Sequence, residues 1–143
     1  MKKNYQPSKK ILEQYANVMV NFGLNNEKGL KKGQTVLLSG KESAKPLYVA
    51  IAKEITRVGG NIIHHYQLDD PEYSLERSFL EQASKKQLDD SHDSYYKGLV
   101  KEIDHHLVIL SESEQQALGT VDPKKVMRRN DALGYYKKIR RKK

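Results

Sequence analysis

The chain has 143 residues, of which 37% are hydrophobic and 31% are charged, and this length suits one domain with a modest core. The lack of cysteine excludes disulfides, thiolate nucleophiles and thiolate metal sites. No stretch is apolar enough to span a membrane, and Met1–Pro7 lacks the apolar segment of a signal peptide. We therefore expect a cytoplasmic protein.

The formal net charge of +8 is distributed unevenly along the chain. Residues 1–122 carry 16 Lys or Arg and 17 Asp or Glu, whereas residues 123–143 carry 10 Lys or Arg and a single acid, Asp131. The body is nearly neutral, so any attraction to a polyanion must come from the last segment.

A first helix is predicted after Ser8, which is a suitable N-cap. Its apolar side chains recur at helical spacing, as Ile11, Tyr15, Val18, Met19 and Phe22. Gly23 and the pair Asn25-Asn26 indicate that this helix ends near residues 24–28.

The chain is organised around a predicted βαβ unit at residues 35–66. An apolar run predicts a strand over Thr35–Leu38 that ends at Ser39-Gly40, and Asn61–Tyr66 predicts a second strand. Between them a helix from Lys45 has an apolar stripe at Leu47, Ile51, Ile55 and Val58. Gly59 then supplies the positive φ of a helix end, and the unit requires parallel strands with a right-handed crossover.

Two more helices and a third strand follow. One of these helices is predicted over Ser74–Gln87, with Leu75, Phe79 and Ala83 on its buried face. The second is predicted over Tyr95–Glu102, with its stripe at Tyr96, Leu99, Val100 and Ile103. The strand is predicted over His105–Leu110. This alternation predicts an α/β fold of three layers, with a mainly parallel sheet and flanking helices.

The last helix is predicted to begin at Pro123, with Asp122 as its N-cap. Its apolar stripe is thin, at Val126, Leu133, Tyr136 and Ile139, and it runs into the basic segment Lys137–Lys143. We therefore expect a single α/β domain over residues 1–122 and a basic C-terminal helix over residues 123–143, which would link to a further domain.

The loop after the first strand, Ser39–Ser43, lies where α/β sheets often bind ligands. It contains one glycine and matches neither glycine-rich phosphate-binding motif, so an ordinary turn is favoured over a nucleotide site.

The paired histidines His64-His65 and His105-His106 allow a metal hypothesis. Neighbouring side chains on a strand point to opposite faces, so one histidine from each pair could meet at one ion. Loop residues that could complete such a site are Asp69, Asp70, Glu72, Asp90 and His92. The favoured interpretation is that these histidines are polar residues at strand ends or on helix-packed faces and bind no ligand. The sequence predicts no catalytic or metal-binding residue in this chain.

The tyrosine pairs Tyr95-Tyr96 and Tyr135-Tyr136 could stack on bases, although one packed and one exposed ring per pair is favoured. Beside the second pair, Lys137–Lys143 carries six positive charges and would attract nucleic acid or another polyanion in a salt-dependent manner. A stand-alone binding module with this tail is the alternative hypothesis, and the solvated end of a helix is favoured over it.

Four stretches, in order, resemble the N-terminal domain of the thermophilic-type metal-dependent aminopeptidases, the family of aminopeptidases T and S. They are Ile11–Leu24, Lys32–Leu38, Pro46–Gly60, and the third strand together with Leu118–Lys125. In that family the two catalytic divalent ions (zinc, cobalt or magnesium) are held by Glu, His and Asp of a C-terminal part that this sequence does not contain.

The resemblance implies a non-catalytic N-terminal fragment of an enzyme that removes N-terminal residues from peptides. It also implies an absent catalytic domain as partner, a peptide substrate for the full-length enzyme, and a domain that walls the substrate cavity and could support a homodimer. No substrate-binding residue can be named from it. Membrane binding is not expected.

Overall fold

The computed structural model describes residues 6–70, 72–111, 118–134 and 137. The chain divides into two compact units, one formed by Met1–Gln67 with Ile103–Ser111 and the other by Leu68–Glu102 with Glu112–Lys143. The predicted division at residue 122 into a domain and a linker stays a prediction. None of the helices in the described part of the chain combines the length and the hydrophobicity of a membrane span.

The first unit contains a βαβ arrangement with an additional helix and strand. Its elements are α1 (Lys9–Asn21), β1 (Thr35–Lys41), a 3₁₀ turn (Glu42–Ala44), α2 (Lys45–Arg57), β2 (Asn61–Gln67) and β3 (His105–Val108). The predicted cap of α1 is confirmed, because the Ser8 hydroxyl accepts a hydrogen bond from the backbone N–H of Ile11 at 3.3 Å.

The end of α2 follows from its two glycines. Gly59 has a φ of +85°, and its N–H donates to the Thr56 carbonyl, while the N–H of Gly60 donates to the Ile55 carbonyl. These two bonds form a Schellman motif, which satisfies the last carbonyls of the helix and turns the chain into β2.

The three strands form a parallel sheet in the order β2-β1-β3, which confirms the predicted fold class. In the register, Val36 of β1 lies beside Ile62 of β2 and beside His105 of β3. Pairing of β1 with β2 continues to Lys41 and Gln67, so β1 does not end at Ser39-Gly40 as predicted. β3 ends earlier than predicted, at Val108.

The core of the first unit lies on the sheet face that packs against the helices. Its buried residues come from both helices, from β1, from the chain around β3 and from the loop after α1: Ala16, Val20, Leu30, Val36, Leu38, Tyr48, Ile51, Ile55, Leu107 and Ile109. The predicted stripe of α2 is only partly buried at Leu47 and Val58, and Tyr48 joins the core instead.

The predicted stripe of α1 is wrong at three positions. Tyr15, Val18 and Phe22 are exposed, whereas the neighbouring Ala16 and Val20 are buried. Both sides of this helix carry apolar residues, so periodicity alone could not choose between them. Small side chains let two helix backbones approach closely, and Ala16 and Val20 are smaller than the aromatic residues expected there.

Glu54 of α2 connects the two helices of the first unit. Its carboxylate accepts hydrogen bonds from the Asn21 side chain at 2.6 Å and from Arg57 Nε at 2.7 Å, and its side chain is only 13% exposed. The hydrogen bond from Arg57 is the main reason that the pKa of Glu54 is lowered, and Asn21 adds to the effect.

This lowered pKa predicts a pH dependence of stability. The contribution of the Glu54 carboxylate is present above its ordinary pKa of 4.5 and is lost as the pH falls through the lowered pKa of the folded state. We expect the Glu54→Gln variant to show a shallower fall in unfolding free energy than the wild type between about pH 6 and pH 3 in urea titrations. The exposed Glu13→Gln variant is the control, and identical pH profiles for wild type and Glu54→Gln would contradict the assignment.

The second unit is helical in its described part. Its helices are α3 (Ser74–Gln82), α4 (Lys85–Asp89), α5 (Asp93–Glu102) and α6 (Pro123–Ala132). The prediction of a single helix over Ser74–Gln87 is therefore wrong, because the helix is interrupted at Ala83-Ser84. Ser84 begins α4 with a capping box, in which its hydroxyl accepts from the Gln87 N–H and the Gln87 side chain accepts from the Ser84 N–H.

The break in this segment changes which side chains are buried. Leu75 and Phe79 are exposed, contrary to the prediction, and Ala83 is buried as predicted. The core cluster of the second unit consists of Leu80, Ala83, Leu88 and Val121. In α5, Val100 is buried as predicted, and Tyr96 and Leu99 are partly buried.

The start of α6 is confirmed. The Asp122 carboxylate accepts a hydrogen bond from the Lys124 N–H at 2.9 Å, and Pro123 occupies the first turn. Val126 and Leu133 of the predicted stripe are partly buried, whereas Tyr136 and Ile139 lie outside the described residues.

Candidate functional site

A polar cluster on the sheet of the first unit is centred on Ser39 of β1. Ser39 Oγ lies 2.8 Å from Nε2 of His106 and 3.3 Å from Nδ1 of His65. Ser39 is 8% exposed, and it is the buried polar residue of the first unit's central strand. Because the flanking strands lie on either side of β1, one hydroxyl contacts an imidazole from each.

The neighbouring histidines take part in other contacts. His64 Nδ1 lies 2.9 Å from the Tyr48 hydroxyl, which also donates to the Leu38 carbonyl at 3.1 Å. His105 Nε2 lies 3.2 Å from Oε1 of Gln34. The two members of each pair therefore have different partners, as the alternation of side chains along a strand predicts.

Tyr48 is held in this position by close packing. A Cβ at Gly40 would lie 2.9 Å from Cδ2 of the Tyr48 ring, so the glycine leaves the space that the ring fills. Burial raises the pKa of the Tyr48 hydroxyl, which moves it further from deprotonation at neutral pH.

Two of the acidic residues that could complete a metal site, Asp70 and Asp90, accept local hydrogen bonds. The Asp70 carboxylate accepts from the Leu75 N–H and the Ser74 hydroxyl, both at 2.9 Å, and the hydrogen bond from Leu75 is the main reason that its pKa is lowered. Asp90 accepts from the N–H of His92 at 3.1 Å. Asp69 and Glu72 are exposed.

Within the parts of the chain that the structure describes, no group of three or more His, Asp or Glu side chains could hold a metal ion. The candidate phosphate loop is not an open loop either, because residues 39–41 continue β1 and Glu42–Ala44 form a 3₁₀ turn.

Helix α6, in the described part of the basic C-terminal helix, contacts α3 and α4. Arg128 donates two hydrogen bonds to the Asp89 carboxylate, each at 2.5 Å, and hydrogen bonding from Arg128 is the main reason that the Asp89 pKa is lowered. Lys125 Nζ donates to the Glu81 carbonyl at 2.7 Å, and Arg129 donates to the carbonyls of Leu88 and Asp90. These three cations are used in packing within the second unit.

Polyanion binding by the basic tail stays a prediction, because residues 138–143 lie outside the described part. Of the tyrosine pairs, Tyr135-Tyr136 also lies outside it. Tyr95 is 65% exposed and Tyr96 is partly buried, as the sequence favoured, and their ring centroids are 5.1 Å apart in an edge-to-face arrangement.

Sequence reasoning missed Ser39, Tyr48 and Gln34 as partners of the histidines. A signal for Ser39 was present, because a serine that continues an apolar central strand is a buried hydroxyl that needs a hydrogen-bond partner. No local signal paired Gln34 with His105, since they are brought together by the strand order.

The parallel sheet, its flanking helices and the histidines on its strands define this part of the molecule as an α/β domain with a polar cluster on its sheet. A sequence model of the thermophilic metalloprotease family (M29) matches residues 8–143. The chain belongs to this family, which confirms the resemblance drawn from its motifs. No curated protein sequence matches the chain significantly.

Among solved structures, the chain is similar to wild-type AmpT from Thermus thermophilus. The two share 28% sequence identity with a TM-score of 0.71, over 92% of this chain and 32% of the AmpT chain. The chain thus spans about a third of the length of AmpT. The family description implies a metal ion, and the described residues do not supply three ligands for one.

Proposed function

We propose that this chain is a non-catalytic N-terminal domain of a metal-dependent aminopeptidase that removes N-terminal residues from peptides. The main support is the structural match to AmpT, which covers 92% of this chain and only 32% of the AmpT chain. The described residues of the first unit form a parallel sheet packed against helices, an architecture that suits a supporting domain.

In this proposal the peptide substrate and two divalent ions bind to a catalytic domain that this chain does not contain. The ions would be zinc, cobalt or magnesium, held by Glu, His and Asp side chains, and they would activate the water that attacks the peptide bond. The α/β domain would form one wall of the substrate cavity, support a homodimer and act in the cytoplasm.

A chimera tests this proposal. The chain would replace the segment of AmpT to which it aligns, and hydrolysis of leucyl and arginyl anilides would be measured with and without a chelator. We expect chelator-sensitive turnover from the chimera and none from AmpT with the same segment deleted. A folded chimera that binds metal but is as inactive as the deletion would count against the proposal.

A further inference from the structure

Two imidazoles from different strands converge on one oxygen atom. Nε2 of His106 and Nδ1 of His65 both lie within hydrogen-bonding distance of Ser39 Oγ, at 2.8 Å and 3.3 Å. The sequence allowed one histidine from each pair to meet at a common point, and the structure brings these two together. Ser39 marks that point.

The backbone around this point is fixed by pairing on both sides. β1 pairs with β2 from Thr35 to Lys41 and with β3 from Val36 to Ser39. In the register Ser39 lies beside His65, whereas His106 lies beside Leu37, two residues before Ser39. The two rings thus approach Ser39 from opposite sides on regular strands, which hold side chains more precisely than loops do.

The pair can be reached from solvent. His65 is exposed and His106 is half-buried, while Ser39 between them is buried. Neutral imidazole nitrogen is a preferred ligand of zinc, copper and nickel, whereas magnesium and calcium prefer oxygen. With no third His, Asp or Glu grouped with them among the described residues, the other coordination positions would be left to solvent.

We propose that His65 and His106 form an exchangeable binding site for a divalent late transition-metal ion such as Cu²⁺, Ni²⁺ or Zn²⁺. When the ion binds, each ring turns so that its unprotonated nitrogen bonds to the ion, and the hydrogen bonds to Ser39 Oγ are lost. Affinity follows the general order for such ions, with Cu²⁺ bound more tightly than Ni²⁺ or Zn²⁺.

A Cu²⁺ titration of the whole 143-residue chain, followed by NMR of the histidine ring protons, tests this site. Paramagnetic broadening is expected to reach His65 and His106 at lower Cu²⁺ concentration than His64, His92 or His105. Ni²⁺ is expected to compete for the same site, and an excess of Mg²⁺ is not. Simultaneous broadening of all five histidines would overturn the proposal.

Neighbouring histidines provide matched controls for calorimetric measurement of the Cu²⁺ dissociation constant. We expect His65→Ala and His106→Ala each to weaken Cu²⁺ binding by more than about tenfold. Removing a residue that only hydrogen-bonds to a metal ligand already costs about tenfold or more, and removing a ligand itself should cost at least as much. His64→Ala and His105→Ala should leave the constant unchanged. Circular dichroism identifies any variant that fails to fold, and equal losses within each pair among folded variants would contradict the site.

Discussion

Replacing Ile51 by alanine is expected to lower the free energy of unfolding by about 2–5 kcal/mol. Ile51 lies in the middle of α2, is fully buried and belongs to the core that the helices form with β1. Truncation removes apolar contacts and leaves a cavity between the helix and the sheet, where regular pairing of the strands limits relaxation. Urea unfolding followed by circular dichroism measures the change.

Val49→Ala is the matched control, because Val49 lies two residues away on the same helix and is 40% exposed. Its effect is expected to stay within about 0.5 kcal/mol, the range of ordinary surface substitutions. Equal destabilisation by the two variants would show that α2 does not pack on the sheet through the face that carries Ile51.

The second large effect is expected from Gly29→Ala, in the turn after α1. Gly29 has a φ of +74°, and a Cβ built there would lie 2.4 Å from the carbonyl oxygen of Asn21. The positive φ alone costs an alanine roughly 1–2 kcal/mol, and the obstacle is backbone, which cannot rotate away. We therefore expect a loss of more than about 2 kcal/mol in unfolding free energy, measured in urea.

Gly98→Ala is the control for this substitution. Gly98 lies within α5, and a Cβ there would meet no atom within 4 Å. Alanine is the better helix former, so this variant is expected to gain about 0.5–1 kcal/mol in unfolding free energy. If the Gly29→Ala variant is as stable as the wild type, the turn does not have this positive φ and close backbone contact.

The central βαβ unit could be predicted because its residues change hydrophobic period where the structure changes. The apolar run of β1, the helical stripe at Ile51 and Ile55, and the glycine pair after α2 each depend on local chemistry. Sequence and structure agree there because the short-range signals and the packing favour the same conformation.

Two local features were misjudged for different reasons. In α1 the helical period predicts a buried face formed by larger side chains, such as Tyr15 and Phe22. The residues that are buried are Ala16 and Val20. The break between α3 and α4 had a readable signal, since Ser84 and Gln87 have the spacing of a capping box, but the apolar period continued across it.

The histidine cluster could be predicted only in part. The pleat of a strand predicts that neighbouring histidines point to opposite faces. His65 and His106 share Ser39 because β1 lies between β2 and β3 and because of the register of both pairings. Strand order and register are set by the whole sheet, so no window of the sequence contains them.

We propose that this α/β chain supports peptide hydrolysis without performing it. This proposal is tested most directly by an assay of the purified chain on leucyl and arginyl anilides with added Co²⁺, Zn²⁺ or Mg²⁺, beside the AmpT chimera as positive control. We predict turnover from the chimera and none above buffer from the chain alone. Turnover by the chain that rises with its concentration and stops on chelation would contradict the claim.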